Sequence, residues 1–242
     1  LLPEYFICSD YETKTTLNSA TLDTGMSSVG HSFVWTRDGA AFGGNTPSIT
    51  TNQIGNYTVV ATNTATTCSS KPVTAKVTQY EPYIEITYSD AFDLPSSITV
   101  NVLGSGSGNY EYRLDEGPYQ DSNVFYNVTP GDHTVSVNDK NGHCNPAPTN
   151  AVIINYPKFF TPNGDGYHET WNIVHLKSTN PNAPIAIFDR FGKLIKQITP
   201  GSSGWNGTFN GKPLPATDYW FTVEYTEKGS SKIFKSHFAL KR

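Results

Sequence analysis

Short runs of alternating apolar and polar residues recur along the chain, and none shows the 3.6-residue period of an amphipathic helix. The alternation is clearest in NYTVVA, TVSVND, APIAIF and YWFTVEY, each bounded by Gly, Asn, Asp or Pro. A period of two places successive side chains on opposite faces of a strand. The pattern therefore predicts an all-β fold.

Composition narrows this prediction to packed β-sandwich domains. The 242 residues include 20 Gly, 16 Pro and 13% aromatic residues but only one Met. Such sandwiches need roughly 100 residues each, so the length fits two or three of them. No apolar run reaches the roughly 18 residues of a membrane-spanning helix. The first residues, LLPEYFIC, lack the pattern of a signal peptide, so we expect either a protein that is not exported or a fragment of a longer one.

An internal repeat divides the first two thirds of the chain. Gly55–Cys68 aligns without gaps on Gly131–Cys144, and both stretches run from a glycine through a ring and a Val-rich strand to a cysteine. Such self-similarity is typical of tandem modules. We therefore predict three tandem Ig-like sandwiches, at residues 1–79, 80–156 and 157–242.

The cysteines suggest a disulfide in the first module. Cys8 on the opening strand, Trp35 and a later tyrosine follow an order that suggests an immunoglobulin-like sandwich with the Trp35 ring packed centrally, although Cys68 lies outside the spacing of antibody domains. A Cys8–Cys68 bond would close a long loop, as bonds in secreted β-domains do. The alternative is two buried thiols. Because the start of the second module has no cysteine, we expect Cys144 to be unpaired.

The second module resembles the SprB-type repeats of bacterial surface adhesins. The resemblance rests on YEYRLDEGPYQ and PGDHTVSVNDKNGHC and covers most of residues 82–155. Its rings, Tyr110, Tyr112, Tyr119 and Phe125, are interpreted as a mixture of core and surface side chains. A stacking platform for a sugar is the alternative.

Charge separates the last segment from the rest. Residues 157–242 carry 11 Lys+Arg and 6 Asp+Glu, net +5, whereas the preceding residues carry 6 and 15, net −9. The lysines are scattered singly along alternating strands, without the dense run of a nucleic-acid site. A basic face of this kind is better suited to an acidic protein partner.

The same segment closely resembles the gliding motility-associated C-terminal domain, the type B sorting domain of the type IX secretion system in Bacteroidetes. The motifs are FTPNGDG, IFDRFGK, GWNGTFNGKPLPATDYWF and a terminal LKR. The usual Asn-Asp after the glycine-rich loop is replaced by His168-Glu169. The resemblance implies an export signal at the C-terminus that is recognised at the outer membrane.

Three stretches of this segment are candidates for partner recognition. They are a turn-rich loop, a hairpin loop, and a terminal strand that we expect at a sheet edge with backbone groups free to pair. The residues are Thr161, Pro162, Asn163, Gly164, Asp165 and Gly166 in the loop, Asp189, Arg190, Phe191 and Gly192 in the hairpin, and Phe238, Ala239, Leu240, Lys241 and Arg242 in the strand and tail.

The glycine-rich loop allows two interpretations. Asn163, Asp165 and Glu169 alternate as calcium ligands do, but the spacing departs from that of an EF-hand. A loop held by its own hydrogen bonds, with Gly164 and Gly166 at positive φ, fits the residue types better. We predict a self-ordered, exposed loop and no metal.

The sequence contains no catalytic motif. The six histidines are scattered, and HExxH, GxSxG, CxxC and phosphate-loop patterns are absent. We therefore expect no enzyme and no cofactor. The resemblances imply the C-terminal part of a secreted surface protein associated with gliding or adhesion. They also imply that type IX machinery and an outer-membrane protein of the PorP/SprF kind are partners. The alternatives are spacers of a secreted hydrolase, or modules that bind surface polysaccharide.

Overall fold

A computed structural model describes all residues, 1–242, and confirms the all-β sandwich prediction. The first ten strands are β1 (Glu4–Cys8), β2 (Ala20–Asp23), β3 (His31–Arg37), β4 (Ala40–Ala41), β5 (Ser48–Thr51), β6 (Gly55–Asn63), β7 (Val73–Tyr80), β8 (Tyr83–Tyr88), β9 (Ser97–Leu103) and β10 (Tyr110–Leu114). The others are β11 (Val124–Tyr126), β12 (Gly131–Asp139), β13 (Thr149–Ile153), β14 (Phe159–Phe160), β15 (Ile185–Phe188), β16 (Leu194–Ile198), β17 (Thr208–Phe209), β18 (Lys212–Pro213), β19 (Asp218–Glu227) and β20 (Ser230–Leu240). A 3₁₀ turn at Val174–Ser178 is the only helical element, and no helix is long and apolar enough to cross a membrane.

The chain forms two compact units. The N-terminal unit contains Leu1–Glu85, Val100–Asn123 and Val135–Thr149, and the C-terminal unit contains Ile86–Thr99, Val124–Thr134 and Asn150–Arg242. Residues of β8, β9, β12 and β13 are divided between the units. The division into three domains, with a separate domain at residues 80–156, stays a prediction.

The N-terminal unit contains a sheet in the order β1-β7-β6-β3-β4 and a two-stranded sheet, β2-β5. Their inward residues enclose a core with Trp35 and Tyr57 at its centre, exposed by only 2% and 0%. The Trp35 indole N–H donates to the Thr46 carbonyl at 2.9 Å, so the buried ring keeps a hydrogen-bond partner. The predicted central position of Trp35 is confirmed.

The repeat is confirmed at the level of the strand. The aligned stretches form β6 and β12, which have nine residues each and begin at a glycine with positive φ. The aligned rings of Tyr57 and His133 are both buried. The alignment therefore identified two equivalent strands from sequence alone.

The predicted Cys8–Cys68 disulfide is wrong. Cys8 is bonded to Cys144, with the Cα atoms 5.6 Å apart, and Cys68 is a free, exposed thiol. The direction of β1 explains the error, because β1 runs parallel to β7 and ends with Cys8 opposite Tyr80. Cys68 lies before β7 begins, at the other end of that strand.

The loops that follow β6 and β12 turn at different positions, so the two aligned cysteines, Cys68 and Cys144, are placed differently. In the first loop the chain turns through Thr67 at φ +59°, and in the second through Gly142 at φ +71°. These residues are offset by one place in the alignment, so the aligned cysteines point differently. Cys68 is exposed, whereas Cys144 is 2% exposed.

The C-terminal unit is built on a five-stranded sheet in the order β14-β20-β19-β15-β16, with the hairpin β17-β18 beside it. Alternate residues of β19 are buried, as its sequence predicted. They pack in a ring-rich core with Trp171, Trp205 and Phe238. Phe92, from the upstream segment Ile86–Thr99, is part of the same core.

Two further three-stranded sheets have the orders β10-β12-β13 and β11-β9-β8. In the N-terminal unit, Tyr110 to Leu114 pair antiparallel with β12. In the C-terminal unit, Val124 to Tyr126 pair antiparallel with β9.

Candidate recognition site in the C-terminal unit

The three segments predicted to bind a partner meet at one end of the five-stranded sheet. β14 and β20 are parallel and end together, with Phe160 opposite Leu240. β19 begins beside that point, and the hairpin between β15 and β16 closes next to it, with Phe188 opposite Trp220. We name this region the loop end, and it comprises residues 161–169, 189–193 and 241–242.

The loop after β14 is ordered by its own hydrogen bonds. The Asp165 N–H donates to Asn163 Oδ1 at 3.1 Å, and Asn163 Nδ2 donates to Asp165 Oδ2 at 2.9 Å. Asp165 Oδ1 also accepts the Tyr167 N–H at 2.8 Å, and this bond is the main cause that lowers the pKa of Asp165 below its usual value. Gly164 and Gly166 adopt φ +83° and +88°. The predictions of a self-ordered loop and of left-handed glycines are confirmed.

The carboxylates of this loop accept backbone hydrogen bonds. Glu169 Oε1 accepts the Gly166 N–H at 3.1 Å, while Asp165 accepts that of Tyr167. In the whole chain, no group of three or more His, Cys, Asp or Glu side chains could hold a metal ion.

Asp189–Gly192 forms the predicted hairpin loop between β15 and β16, and the Asp189 side chain holds it. Asp189 Oδ1 accepts the N–H groups of Phe191 and Lys193, both at 2.9 Å, and Gly192 turns the chain at φ +80°. This arrangement leaves the Phe191 ring 81% exposed at the tip. The Arg190 guanidinium lies 4.9 Å from that ring's centroid.

The end of β20 does not lie at a sheet edge, which contradicts the expectation of free backbone groups there. β20 is the second strand of the sheet, between β14 and β19. The Leu240 N–H donates to the Thr217 carbonyl at 2.9 Å, and the Lys241 N–H donates to the Phe160 carbonyl on the opposite side at 3.0 Å. The two-residue strand β14 occupies the edge, and its parallel pairing leaves no local pattern in the sequence.

Two of the predicted recognition residues in this strand are core residues. Phe238 and Leu240 are each 1% exposed, and the Phe238 ring stacks on Trp171 with 3.8 Å between centroids. Ala239 is half-buried. Within this stretch only the side chains of Lys241 and Arg242 are available to a partner.

Four exposed cations surround the loop end: Arg190, Lys193, Lys241 and Arg242. None of them has a carboxylate within the 4.0 Å of an ion pair. Lys193 Nζ lies 4.6 Å from the Phe209 ring centroid, and Lys241 Nζ lies 4.4 Å from that of Phe159. Arg242 Nη2 donates to the Gly207 carbonyl at 3.2 Å. Rings therefore position Arg190, Lys193 and Lys241, a backbone carbonyl positions Arg242, and no carboxylate neutralises the four charges.

Charged groups from both the hairpin and the tail act on the buried phenol of Tyr219. Burial raises the pKa of Tyr219, and the charges of Arg242, Asp189 and Arg190 also act on it. Residues 53 positions apart in sequence thus lie close to one another at the loop end.

Sequence reasoning missed the apolar residues beside the hairpin. Trp220 is 42% exposed and Leu194 is 47% exposed, and both are cross-strand neighbours of Phe188. The alternation along β19 could have predicted the exposure of Trp220. The buried residues of this strand are odd-numbered, so Trp220 must face solvent.

The four rings singled out in the second module lie outside the two buried core clusters. Tyr110, Tyr112 and Phe125 are half-buried, and Tyr119 is 41% exposed. The Arg113 guanidinium lies 5.1 Å from the Tyr119 ring centroid. The surface part of the predicted mixture is confirmed, whereas none of the four rings is a fully buried core residue.

Comparison with protein families gives a match within the C-terminal unit. Residues 154–240 match the family described as the CHU_C Type IX secretion signal domain. This segment is a type IX secretion signal domain. The match spans β14 to β20, so the loop end belongs to the signal domain except for Lys241 and Arg242. The resemblance seen in the motifs is confirmed, and the chain carries the signal of a protein secreted by the type IX system to the cell surface.

No curated protein matches the chain at a significant level. Among solved structures, the three N-terminal domains of the bacteriophage RB49 capsid protein Hoc are 13% identical, with 98% of this chain and 95% of that one covered at a TM-score of 0.34. An amphioxus IgVJ-C2 molecule is 12% identical, with coverages of 60% and 98% and a TM-score of 0.29. SGBP-B of Bacteroides ovatus, solved with a mixed-linkage heptasaccharide, is 13% identical, with coverages of 98% and 66% and a TM-score of 0.23. No functional conclusion follows from scores this low.

Proposed function

We propose that this chain is the C-terminal part of a large surface protein involved in gliding or adhesion. In this proposal the signal domain directs export and then docks on an outer-membrane protein of the PorP/SprF kind. The upstream modules hold the functional part of the protein away from the membrane and catalyse no reaction.

The convergence at the loop end is the observation that carries this proposal. The glycine-rich loop, the DRFG hairpin and the tail are separate in sequence, yet all three lie at one end of a rigid sheet. Loops on a rigid scaffold are where proteins commonly present recognition residues. Each loop is ordered by its own hydrogen bonds, so a partner would meet a surface already in its binding conformation.

A reporter protein fused ahead of residue 1 tests the export function. In a type IX-competent bacterium we expect the reporter at the cell surface, and in an isogenic strain without the system we expect it to stay inside. A fusion that ends at residue 153, before the signal domain, is the matched control and should also stay inside. Surface display in either control would contradict the proposal.

Removal of the PorP/SprF-like protein from the competent strain tests the docking step. We expect the fusion to lose its attachment to the cell, measured as the fraction of reporter that sediments with cells. Unchanged attachment would show that another component holds the signal domain.

A further inference from the structure

The positive charge and the exposed rings of the loop end indicate the chemistry of a partner's surface that would bind there. Arg190, Lys193, Lys241 and Arg242 project from the hairpin and the tail without ion pairs. The carboxylate nearest to them in sequence, Asp189, bonds the hairpin's own N–H groups. Most of the positive charge is thus left for an external partner.

An apolar anchor lies among these cations. Phe191 is 81% exposed, more than Leu194 at 47% and Trp220 at 42%. Apolar rings and arginines concentrate the binding energy of protein interfaces, whereas antiparallel sheets usually present polar side chains to water. Exposed rings beside ordered cations therefore mark a docking surface.

We propose that the loop end docks into an acidic protein surface, with a small apolar pocket for Phe191 and carboxylates around that pocket for the four cations. This proposal rests on the proposed function and specifies the chemistry of the partner. The carboxylates pair with Lys193 and Lys241 through single hydrogen-bonded contacts, and with Arg190 through a bidentate contact.

The neighbouring loop favours a protein over a nucleic acid or an anionic membrane. Asp165 and Glu169 lie on the loop beside the tail, and both are carboxylates of the same loop end. A continuous array of phosphates would meet these negative charges as well as the cations. A protein can instead place its carboxylates only opposite the hairpin and the tail.

Zero-length cross-linking tests this chemistry directly. A carbodiimide joins a lysine amine to a carboxylate as an amide with loss of water, so only contacting pairs react. Cells that display the reporter fusion are treated, and linked peptides are identified by mass spectrometry. We expect Lys193 and Lys241 linked to Asp or Glu of one envelope protein. In a fusion with Lys193→Arg and Lys241→Arg, which keeps the charge but removes the amines, display should persist and the links should disappear.

Charge reversal provides the matched comparison. The variant Arg190→Glu/Lys193→Glu/Lys241→Glu should lower surface attachment at least tenfold. The control Lys71→Glu/Lys76→Glu/Lys177→Glu changes the net charge equally at exposed lysines away from the loop end and should stay within twofold of wild type. Both variants should keep the wild-type melting temperature within a few degrees, because substitutions of exposed charges usually change stability little.

The outcomes separate this inference from the proposed function. If the wild-type fusion is not exported, the proposed function fails before any contact is tested. If it is exported but cross-links appear at neither lysine, or the two triple variants attach equally, the acidic partner is ruled out. Binding of the purified chain to anionic lipid vesicles that is lost in the loop-end variant, with no protein cross-link, would assign the cations to a membrane and overturn the inference.

Discussion

At the scale of single residues, the cysteines give the most direct test of the structure. With Cys8 bonded to Cys144, only Cys68 is free, and it is exposed. Alkylation without reductant should therefore add one label, at Cys68, in intact-mass and peptide analysis. The Cys68→Ser variant should take up no label. A label on Cys144 would restore the pairing first expected from sequence.

Two glycines with nearly equal φ form a matched pair for a stability measurement. Gly164 and Gly204 have φ +83° and +85°, but a Cβ on Gly164 would meet no atom within 4 Å, whereas one on Gly204 would lie 2.7 Å from the Trp171 carbonyl oxygen. Gly164→Ala should cost only the conformational penalty, about 1 kcal/mol. Gly204→Ala should cost roughly 1–3 kcal/mol more in denaturant unfolding. Equal losses would show that the close approach at Trp171 relaxes freely.

The sequence predicted the role of residues that bond to nearby positions in the chain. It did not predict the partner of a residue that bonds to a distant position. Asn163, Asp165 and Asp189 accept hydrogen bonds from backbone N–H groups within four positions, so residue type and spacing were sufficient. The partner of Cys8 depends on whether β1 runs parallel or antiparallel to β7, and no local pattern records that direction.

At the scale of elements, the β19–β20 hairpin is joined to the segment Ile86–Thr99 by an ion-pair network. Asp90 contacts the Lys228 and Lys232 ammonium groups at 2.5 and 2.7 Å, and Lys232 also pairs with Glu227 at 2.7 Å. Hydrogen bonds from Lys228 and Lys232 lower the pKa of Asp90 from 3.8 to about 2. The ionised carboxylate is therefore favoured in the folded state.

This shift predicts how stability depends on pH. Because the folded pKa lies below the unfolded one, Asp90 contributes stability above about pH 4, and this contribution is lost as the pH falls towards 2. Asp90→Asn should lower the melting temperature at pH 7 and flatten its decline between pH 4 and 2. Asp93→Asn, at an exposed carboxylate without an ion pair, is the control. Parallel melting curves for wild type and Asp90→Asn across this range would contradict the role of the network.

Phe92 should be an essential part of the signal domain although it lies outside the family match. Its ring stacks on Phe234 at 4.3 Å and meets Tyr225 edge-on at 5.3 Å, with 6% exposure. Phe92→Ala should destabilise the C-terminal unit by about 3–5 kcal/mol, measured by denaturant unfolding of the full chain. Phe191→Ala removes the same ring at an exposed position and should change stability by about 0.5 kcal/mol or less. A similar small loss for both variants would mean that Phe92 is dispensable.

Strand positions followed from alternation, but strand order did not. The alternating runs APIAIF and YWFTVEY lie on β15 and β19, and the predicted hairpin loop Asp189–Gly192 follows β15 directly. β14 has two residues and pairs in parallel with a strand about eighty positions later, so its place at the edge could not be inferred. For the same reason the recognition site was predicted as three segments, and their shared location became visible only in the structure.

At the scale of the whole molecule, the change in net charge along the chain coincides with the start of the family match. The basic C-terminal segment matches the signal family at residues 154–240, and the acidic residues 1–153 lie outside that match. The family match and the C-terminal unit differ in extent, because the unit also includes Ile86–Thr99 and Val124–Thr134. A sequence boundary near residue 157 therefore describes the signal motif better than it describes the folded unit.

The disulfide also determines which residues can extend when the chain is pulled between residues 1 and 242. Cys8 and Cys144 are 136 positions apart and covalently joined, so tension passes through the bond and residues 9–143 cannot lengthen the chain. Single-molecule pulling should release about 490 Å more contour length after reduction, at about 3.6 Å for each of the 136 residues. Cys144→Ser should show the added length without reductant, and Cys68→Ser should behave as wild type. Equal contour lengths before and after reduction would show that the bond does not bear the load.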